Sequence, residues 1–376
     1  MTMVNILNKT RFDKIDIIKG LGIILMVCGH CNAPFTGWLY MFHMPIFFIA
    51  SGYCWNSRNS QDFSSMVNYI WRKIKSLYIP YVTVNGIFAL LQNFFIKINI
   101  YSGSMDFAAQ AGQGAMYGLF LEEPFHDTLM SVKNCFFLNS SEQLGGATWF
   151  VGTLILISIL HCIYEYLVNA VKLSKFKNSI LIRTILIAFV FAEIIDEGRV
   201  SLPFFQVTHP FFAGYTSYLM GMFLRQLEPY RPNVNALFKV FTAVITGMAI
   251  KSLMVYGGIG SVSGIIQNPL YYTTVSLLGW FCMESVADLM SGGLRSAMIY
   301  IGKNTLPVVF FHFLAFKPVS LAFILATGME MYMLASFPVI FNLPWFMWII
   351  YTVAGIALPL GANCIYQNFK SRIFNK

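Results

Sequence analysis

The chain has 376 residues, of which 57% are hydrophobic and 11% are charged, whereas roughly 25% of residues are charged in a typical soluble domain. This composition excludes a disordered chain, a coiled coil and an ordinary soluble enzyme. The 25 lysines and arginines outnumber the 16 acidic residues, but they lie between long apolar runs. That arrangement favours a membrane protein, with no nucleic acid as partner.

A membrane-spanning helix needs about 20 mostly apolar residues. The sequence predicts ten such stretches, and therefore an all-α, polytopic bundle of about ten transmembrane helices. We expect a single membrane domain over 1–376 with no appended soluble domain. The predicted spans are 15–35, 39–57, 77–98, 146–168, 179–197, 208–227, 237–256, 270–290, 305–326 and 345–366.

The distribution of cations predicts the orientation of these spans. With the N-terminus in the cytoplasm, 20 of the 25 lysines and arginines fall in cytoplasmic segments or at their helix ends. Cytoplasmic loops of membrane proteins carry such an excess. We therefore expect both termini to be cytoplasmic. The longest stretch outside a span, 99–145, would then lie on the outer side.

The first span carries Asp16, Lys19 and His30, and ionisable groups inside a membrane are functional candidates because they are costly to bury. Asp16 is three residues before Lys19, so the two can form an ion pair. Lys19 and His30 are eleven residues apart, which places both on one face about 16 Å apart along the helix. A structural ion pair beside a hydrogen-bonded interhelical histidine is the alternative.

The second span adds His43 near its outer end, followed by Pro45 and by a small-residue contact surface at Ser51 and Gly52. Because His30 and His43 flank a short predicted turn, we expect the two rings to be close. Two imidazoles at one cavity suit proton transfer, since histidine titrates near neutral pH. Histidines bonded to backbone carbonyls at a helix interface would give the same pattern.

Three cations, Arg72, Lys73 and Lys75, follow the second span at the predicted cytoplasmic surface. Such a cluster can bind phosphates. It can also bind anionic lipid or simply fix the topology, and the residues alone favour topology.

Other polar groups lie in or beside the later spans. The ninth span opens at Asn304 and carries His312 eight residues later. His161 and Glu165 are spaced as an i,i+4 pair, and Glu284 lies in the eighth span. A possible sugar-binding rim, or a solvated acidic turn, lies at Glu193, Asp196 and Glu197.

Several sequence signals are missing. Seven cysteines, an odd number with most of them inside apolar runs, argue against a disulfide framework or a zinc site, so we expect no metal. No phosphate-binding loop, dinucleotide-binding glycine pattern, HExxH or GxSxG motif occurs. These absences argue against a primary pump and a soluble-type hydrolase.

The motifs resemble the acyltransferase-3 family of integral membrane acyltransferases, and most closely its polysaccharide and fucose-type O-acetylase branch. Lys19 and His30 in DIIKGLGIILMVCGH match the family's basic-x10-His motif, with lysine where arginine is common. The resemblance continues in the family's order through FHMPIFFIASGY, RKIKSLYIPY, ATWFVGTL and GKNTLPVVFFHFL.

The resemblance implies an O-acyltransferase of the bacterial cytoplasmic membrane. Its co-substrate would be cytoplasmic acetyl-CoA or a similar acyl-CoA, and its acceptor a hydroxyl of a surface polysaccharide or a lipid-linked precursor. Membrane lipid is the expected surrounding partner, and the oligomeric state, a homodimer included, is left open.

Roles for individual residues follow from that resemblance. His30, His43 and Asp16 would be catalytic, with His30 a general base or an acyl carrier. Donor binding would fall to Lys19, Arg72, Lys73 and Lys75. The residues that would orient the acceptor or relay protons are His312, Asn304, Glu193 and Glu197. Two other functions remain open, a transporter or flippase for a glycan or lipid and a non-catalytic scaffold.

Overall fold

The computed structural model describes residues 3–102, 107, 122, 124–140, 142–171, 183, 187, 209–259 and 268–374, with the backbone alone at 3–11, 209 and 374. Within these ranges the chain forms helices and no β-strand. The predicted all-α fold is therefore confirmed for the described part of the chain. The predicted fifth span, 179–197, lies almost entirely outside the described residues.

The described α-helices are named in chain order. They are α1 (Met3–Gly29), α2 (Thr36–Tyr40), α3 (His43–Tyr53), α4 (Phe63–Lys73), α5 (Ile79–Leu90), α6 (Gln92–Lys97), α7 (Phe125–Phe136), α8 (Trp149–Ala170), α9 (His209–Leu227), α10 (Ala236–Leu253), α11 (Pro269–Leu289), α12 (Gly292–Lys303), α13 (Thr305–Thr327) and α14 (Met347–Phe374).

Four helical segments of the described chain are long and apolar enough to cross a membrane. They correspond to the fourth, seventh, ninth and tenth predicted spans, and they are Gly146–Ala170, Ala236–Tyr256, Thr305–Thr327 and Met347–Ile373. A membrane protein is thus supported, while the count of ten spans and the side of each terminus stay predictions.

Three predicted spans differ from the helices that form. Helix α1 ends at Gly29, so His30 is the first residue beyond it. The predicted second span, 39–57, contains the last two residues of α2 and the whole of α3, with a break between them at 41–42. The third span is preceded by a helix that starts at Phe63 and passes through a π-helical turn at Ile74–Tyr78. Pro80 follows that turn, and its ring cannot fit against the carbonyl four residues earlier in a regular α-helix.

The chain divides into two compact units. The first unit contains Met1–Gly22, Gly37–Tyr81 and Phe150–Lys303, and the second contains Ile23–Thr36, Val82–Trp149 and Asn304–Lys376. Helix α1 contributes its first part to the first unit and its end to the second.

The first unit is held together by close helix packing. Helix α3 packs against α9, and α10 packs against α11. A Cβ atom at Gly52 would overlap the backbone of Tyr218 in α9, and one at Gly221 would overlap the backbone of Ile49 in α3. The small-residue surface predicted at Gly52 is therefore a helix–helix contact, as small residues allow in membranes.

The second unit is built on α13 packed against α14. Lys317 in α13 is buried, and its Nζ donates hydrogen bonds to the carbonyl oxygens of Leu334 at 2.9 Å and Ser336 at 3.0 Å. These carbonyls lie at the end of the short 3₁₀ helix Met331–Ala335. Lys317 therefore satisfies acceptors at a helix end, where carbonyls lack partners within the helix.

Candidate functional site: an imidazole pair and a cation cluster

Two histidines of the second unit, His30 and His312, form a stacked pair. Their ring centroids are 5.4 Å apart with 29° between the ring planes. His30 lies just after α1 and is half-buried, whereas His312 lies in α13 and is completely buried. A small molecule can therefore reach His30 more readily than His312.

The hydrogen bonds of His312 fix its tautomer. Its Nδ1 lies 2.9 Å from the carbonyl oxygen of Val308 and 3.1 Å from that of Val309. A carbonyl oxygen only accepts, so Nδ1 must carry the proton that it donates. Nε2 is buried and has no hydrogen-bond partner among the described residues. The neutral ring therefore holds an unshared electron pair at Nε2.

Aromatic side chains surround the two histidines. The Phe313 ring lies 4.9 Å from the His30 ring and 4.0 Å from the His312 ring, between centroids. Phe316 lies 5.7 Å from His312, and Phe337 packs against Phe313 at 4.5 Å. Such an apolar surrounding strengthens any polar interaction made there. A neutral imidazole has one nitrogen that can accept a proton, so the chemistry of the pair allows a role as a base.

Asn304 is the residue before α13, and its Oδ1 accepts a hydrogen bond of 3.1 Å from Nδ2 of Asn363 in α14. Eight residues separate it from His312, which is about 12 Å along a helix. The structure thus gives Asn304 an interhelical contact, and its role in acceptor orientation stays a prediction.

In the first unit, the carboxylate of Asp16 lies 2.7 Å from Lys19 Nζ. The predicted i,i+3 ion pair is confirmed. Close packing of α1 against α12 surrounds it, because a Cβ at Gly302 would overlap the carbonyl oxygen of Asp16. Asp16 is therefore a partner of Lys19, and the predicted catalytic role for this carboxylate stays a prediction.

The three predicted phosphate-binding cations lie on the helix that runs through α4 and the π turn. Arg72 Nη2 donates a 2.9 Å hydrogen bond to Asn59 Oδ1. Lys73 Nζ lies 5.4 Å from the centre of the Tyr69 ring, and Lys75 Nζ lies 5.0 Å from that of Trp71. The aromatic faces hold the two ammonium groups in place.

Electrostatics links Lys73 to Lys19 of α1. Burial lowers the pKa of Lys73 below 10.5, and the positive charges of Arg72 and Lys19 lower it further. Nearby charges of the same sign lower the pKa of an ammonium group in this way. Arg72, Lys73 and Lys19, here called the cation cluster, therefore lie within interaction range and would attract a multiply charged anion.

His43 belongs to the first unit, at the start of α3. Its Nδ1 lies 2.9 Å from the carbonyl oxygen of Leu39, and the Tyr40 ring lies 5.3 Å away. His30 belongs to the second unit, so their predicted proximity stays a prediction. The partner that the structure does give to His30 is His312.

One polar cavity of the first unit was not anticipated from the sequence. It has a volume of about 410 Å³ and is lined mainly by polar side chains, among them Asn56, Gln226, Arg225 and Arg183. Arg225 donates to the carbonyl oxygens of Tyr53 and Trp55. The sequence offered these arginines only as topology signals, because their partners are distant along the chain.

The predicted pairing of His161 with Glu165 is wrong. His161 Nδ1 lies 3.0 Å from the Tyr215 hydroxyl, and Glu165 instead forms an ion pair with Arg183. Glu165 and Arg183 are both buried, and an arginine, whose guanidinium is always charged, compensates the charge of a buried carboxylate.

Glu284 of α11 organises a second group of charges. Both of its carboxylate oxygens accept from Arg231 Nη1, at 2.6 and 2.7 Å, and Lys14 Nζ lies 3.1 Å away. Burial alone would lower the pKa of Lys14, but the carboxylates of Glu284, Asp288 and Glu228 raise it overall. This network links α1 and α11 with the residues that follow α9.

Two predicted residues, Glu193 and Glu197, lie outside the described residues, and so does the predicted rim that contains them. In the described part of the chain, no group of three or more His, Cys, Asp and Glu side chains is arranged to hold a metal ion.

Comparison with protein families gives one match. A family model described as an acyltransferase domain, that of the acyltransferase-3 family, matches residues 12–364. Comparisons with curated proteins and with solved structures gave no match.

Proposed function

The chain belongs to the acyltransferase-3 family, and from this membership we propose that it is a membrane O-acyltransferase that uses acyl-CoA. It moves an acetyl or other short acyl group to a hydroxyl of a cell-surface polysaccharide or of a lipid-linked precursor. The protein would lie in the bacterial cytoplasmic membrane and take its donor from the cytoplasm. The observation that carries the proposal is the stacked pair of His30 and His312.

The reaction needs a base at the acceptor hydroxyl. His30 takes the hydroxyl proton as the oxygen attacks the thioester carbonyl, and the new C–O bond forms. The carbonyl–sulfur bond then breaks, and the proton returns from His30 to the leaving thiolate, so that an ester and free CoA result. A positioned base of this kind contributes about 10²–10⁴-fold to the rate.

His312 supports His30 in this scheme. Its Nδ1–H bonds to Val308 and Val309 fix the ring, and its face lies against the His30 ring. A neutral, electron-rich ring next to His30 stabilises the positive charge that His30 gains when it takes the proton. The half-buried ring is thus the base, and the buried ring is a positioning residue.

Donor binding is assigned to the cation cluster together with Lys75. The phosphates of CoA are multiply charged, and arginine and lysine are the side chains that bind phosphate in proteins. Support comes from the aromatic faces that hold Lys73 and Lys75 and from the proximity of Lys19 to Lys73. The path of the pantetheine arm toward His30 rests on the eleven-residue spacing of Lys19 and His30.

A label-transfer assay tests this function. Membrane vesicles that contain the protein receive acetyl-CoA labelled in the acetyl group, and label in surface and lipid-linked glycans is measured by mass spectrometry. We expect label in an ester that mild alkali releases, and none from vesicles that lack the protein. Substrate counterflow without acyl-CoA, in the absence of any transfer, would instead favour the transporter.

A further inference from the structure

The side chains that line one small cavity of the second unit are not of the kind that would bind the phosphate groups of the acyl donor. Its volume is about 150 Å³, and it lies between the residues after α1 and the segment that leads into α14. The lining includes two amides and three aromatic side chains, namely Asn32, Asn342, Trp345, Trp348 and Tyr351. No cationic side chain contributes to it, so it is not built for a phosphate.

Trp348 lines this cavity and carries an unsatisfied donor. Its Nε1 is buried and has no acceptor among the described residues, while its ring packs edge to face against Phe35 at 5.4 Å. Leaving a buried donor without an acceptor costs about 1–3 kcal/mol. A tryptophan that merely anchors a helix at the membrane surface keeps its N–H in the wet interface. An oxygen acceptor supplied by a ligand would satisfy this donor.

Trp345 also lines the cavity and is 79% exposed. A single exposed aromatic side chain is ordinary on a protein surface, but one that lines a pocket offers its face to a ligand. Its face can receive the C–H groups of a saturated ring through weak C–H contacts to the aromatic electrons.

Asn32 and Asn342 both adopt positive φ angles, 57° and 59°. Asparagine is among the few residues other than glycine that tolerate this conformation. Each amide supplies two donors and an acceptor. Glycine would satisfy the backbone equally well, so the amides add hydrogen-bonding capacity to the cavity.

The cavity lies next to the imidazole pair. Cys31 and Asn32 directly follow His30, and consecutive Cα atoms are about 3.8 Å apart. On the other side the Tyr351 ring packs at 5.6 Å against Phe316, which in turn contacts His312 at 5.7 Å. A ligand in the cavity would therefore lie near the ring assigned as the base.

We propose that this cavity is the acceptor subsite and binds one pyranose ring of the glycan. The ring would stack on Trp345, and its hydroxyls would bond with Asn32, Asn342 and the Trp348 Nε1–H. This inference rests on the proposed function for its role in catalysis, but saccharide binding itself can be tested without acyl-CoA.

Binding is measured on the full-length protein in lipid nanodiscs by saturation-transfer NMR. The probes are methyl pyranosides and oligosaccharides released from the surface polysaccharide of the source cell, with sorbitol as a polyol that lacks a ring. We expect ring probes to bind and sorbitol not to bind. Trp345→Ala and Asn342→Gly should each weaken binding about tenfold, which is about 1.4 kcal/mol.

Two control variants show whether an effect on binding is specific to the cavity. Asn342→Gly preserves the positive-φ backbone, and Asn99→Gly makes the same change at φ 59°, away from the cavity. Phe125→Ala removes an aromatic ring that is 75% exposed elsewhere. Neither control should change saccharide binding, and equal weakening by control and cavity variants would overturn the proposal.

The remaining outcomes separate the two proposals. If no ring probe binds, or if Trp345→Ala and Asn342→Gly bind normally, the acceptor subsite is wrong even when label transfer succeeds. If both variants lose binding while the wild type transfers no label, the saccharide site stands and the acyltransferase proposal fails. If the wild type both binds saccharide and transfers label, Trp345→Ala and Asn342→Gly should raise the acceptor KM about tenfold and leave the acyl-CoA KM unchanged.

Discussion

The ring of His30 stacks on the ring of His312 with 5.4 Å between centroids, and the buried member is tied by Nδ1 to the carbonyl oxygens of its own helix. One imidazole is thus tied to its own helix and stacks on another that is only half-buried. Catalytic groups need this kind of support, because a small misplacement costs a large factor in rate.

His312→Phe should keep the ring contact with His30 and remove both ring nitrogens. We expect kcat to fall about 10-fold to 100-fold with little change in the acyl-CoA KM, since a supporting group contributes less than the base itself. The double variant with His30→Ala should be no slower than His30→Ala alone, because coupled groups are not additive. Additive losses would show that the two rings act independently.

Arg72→Gln and Lys73→Gln should each raise the KM for acetyl-CoA about tenfold. The same variants should leave the KM for an acetylated pantetheine that lacks phosphates unchanged, because the cation cluster is assigned to phosphate. Lys133→Gln removes an exposed lysine on α7 and serves as the control. A parallel rise in KM for both donors would refute phosphate binding by these residues.

The lowered pKa of Lys73 predicts a pH dependence of donor binding. Only the charged ammonium attracts phosphate, so its contribution is lost as the pH rises through a value below 10.5. The acetyl-CoA KM of the wild type should therefore increase on the alkaline side of neutral pH. Lys73→Arg, whose guanidinium stays charged, should remove that increase. A profile identical in both proteins would contradict the assignment.

Glu284→Gln should destabilise the protein, because it leaves Arg231 and Lys14 together without their shared carboxylate. A fully buried pair loses about 3–5 kcal/mol on such a change, and we expect about 2 kcal/mol here since the Arg231 side chain is 25% exposed. Asp288→Asn removes a carboxylate that is 29% exposed and should cost less. Thermal denaturation in detergent measures both, and equal midpoints would contradict a special role for Glu284.

The pKa of Lys14 sets an upper pH limit on the stability that this network contributes. Its pKa is raised above 10.5, so its stabilising contribution is complete below pH 10.5 and is lost as the pH rises through the raised value. The melting difference between the wild type and Lys14→Met should stay constant from pH 7 to about 10. A difference that shrinks within this range would show that folding lowers the pKa of Lys14, which contradicts this assignment.

Much of the helical framework could be predicted from apolar run length. The predicted spans 208–227 and 305–326 agree with α9 and α13 to within a residue. The break between α2 and α3 was harder to predict from the sequence. No glycine or proline lies in it, and tertiary contacts decide where the chain turns. Helix α12 was missed since it is short and amphipathic.

The candidate site was predictable where partners are local in sequence. Asp16 and Lys19 are three residues apart, and their ion pair follows from helix geometry. The stacking of His30 on His312 joins residues that are 282 positions apart, and only the packing of the second unit reveals it. Trp345 and Trp348 belong to an apolar stretch, so their cavity gave no signal in the sequence.

The most direct test of the account measures acyl transfer by His30→Ala and His30→Gln in the label-transfer assay, with folding checked by thermal denaturation. If His30 is the base beside His312, both variants fold normally and transfer acetyl label at a rate about 10²–10⁴-fold lower than the wild type. If either folded variant transfers label at the wild-type rate, the imidazole pair is not the catalytic centre.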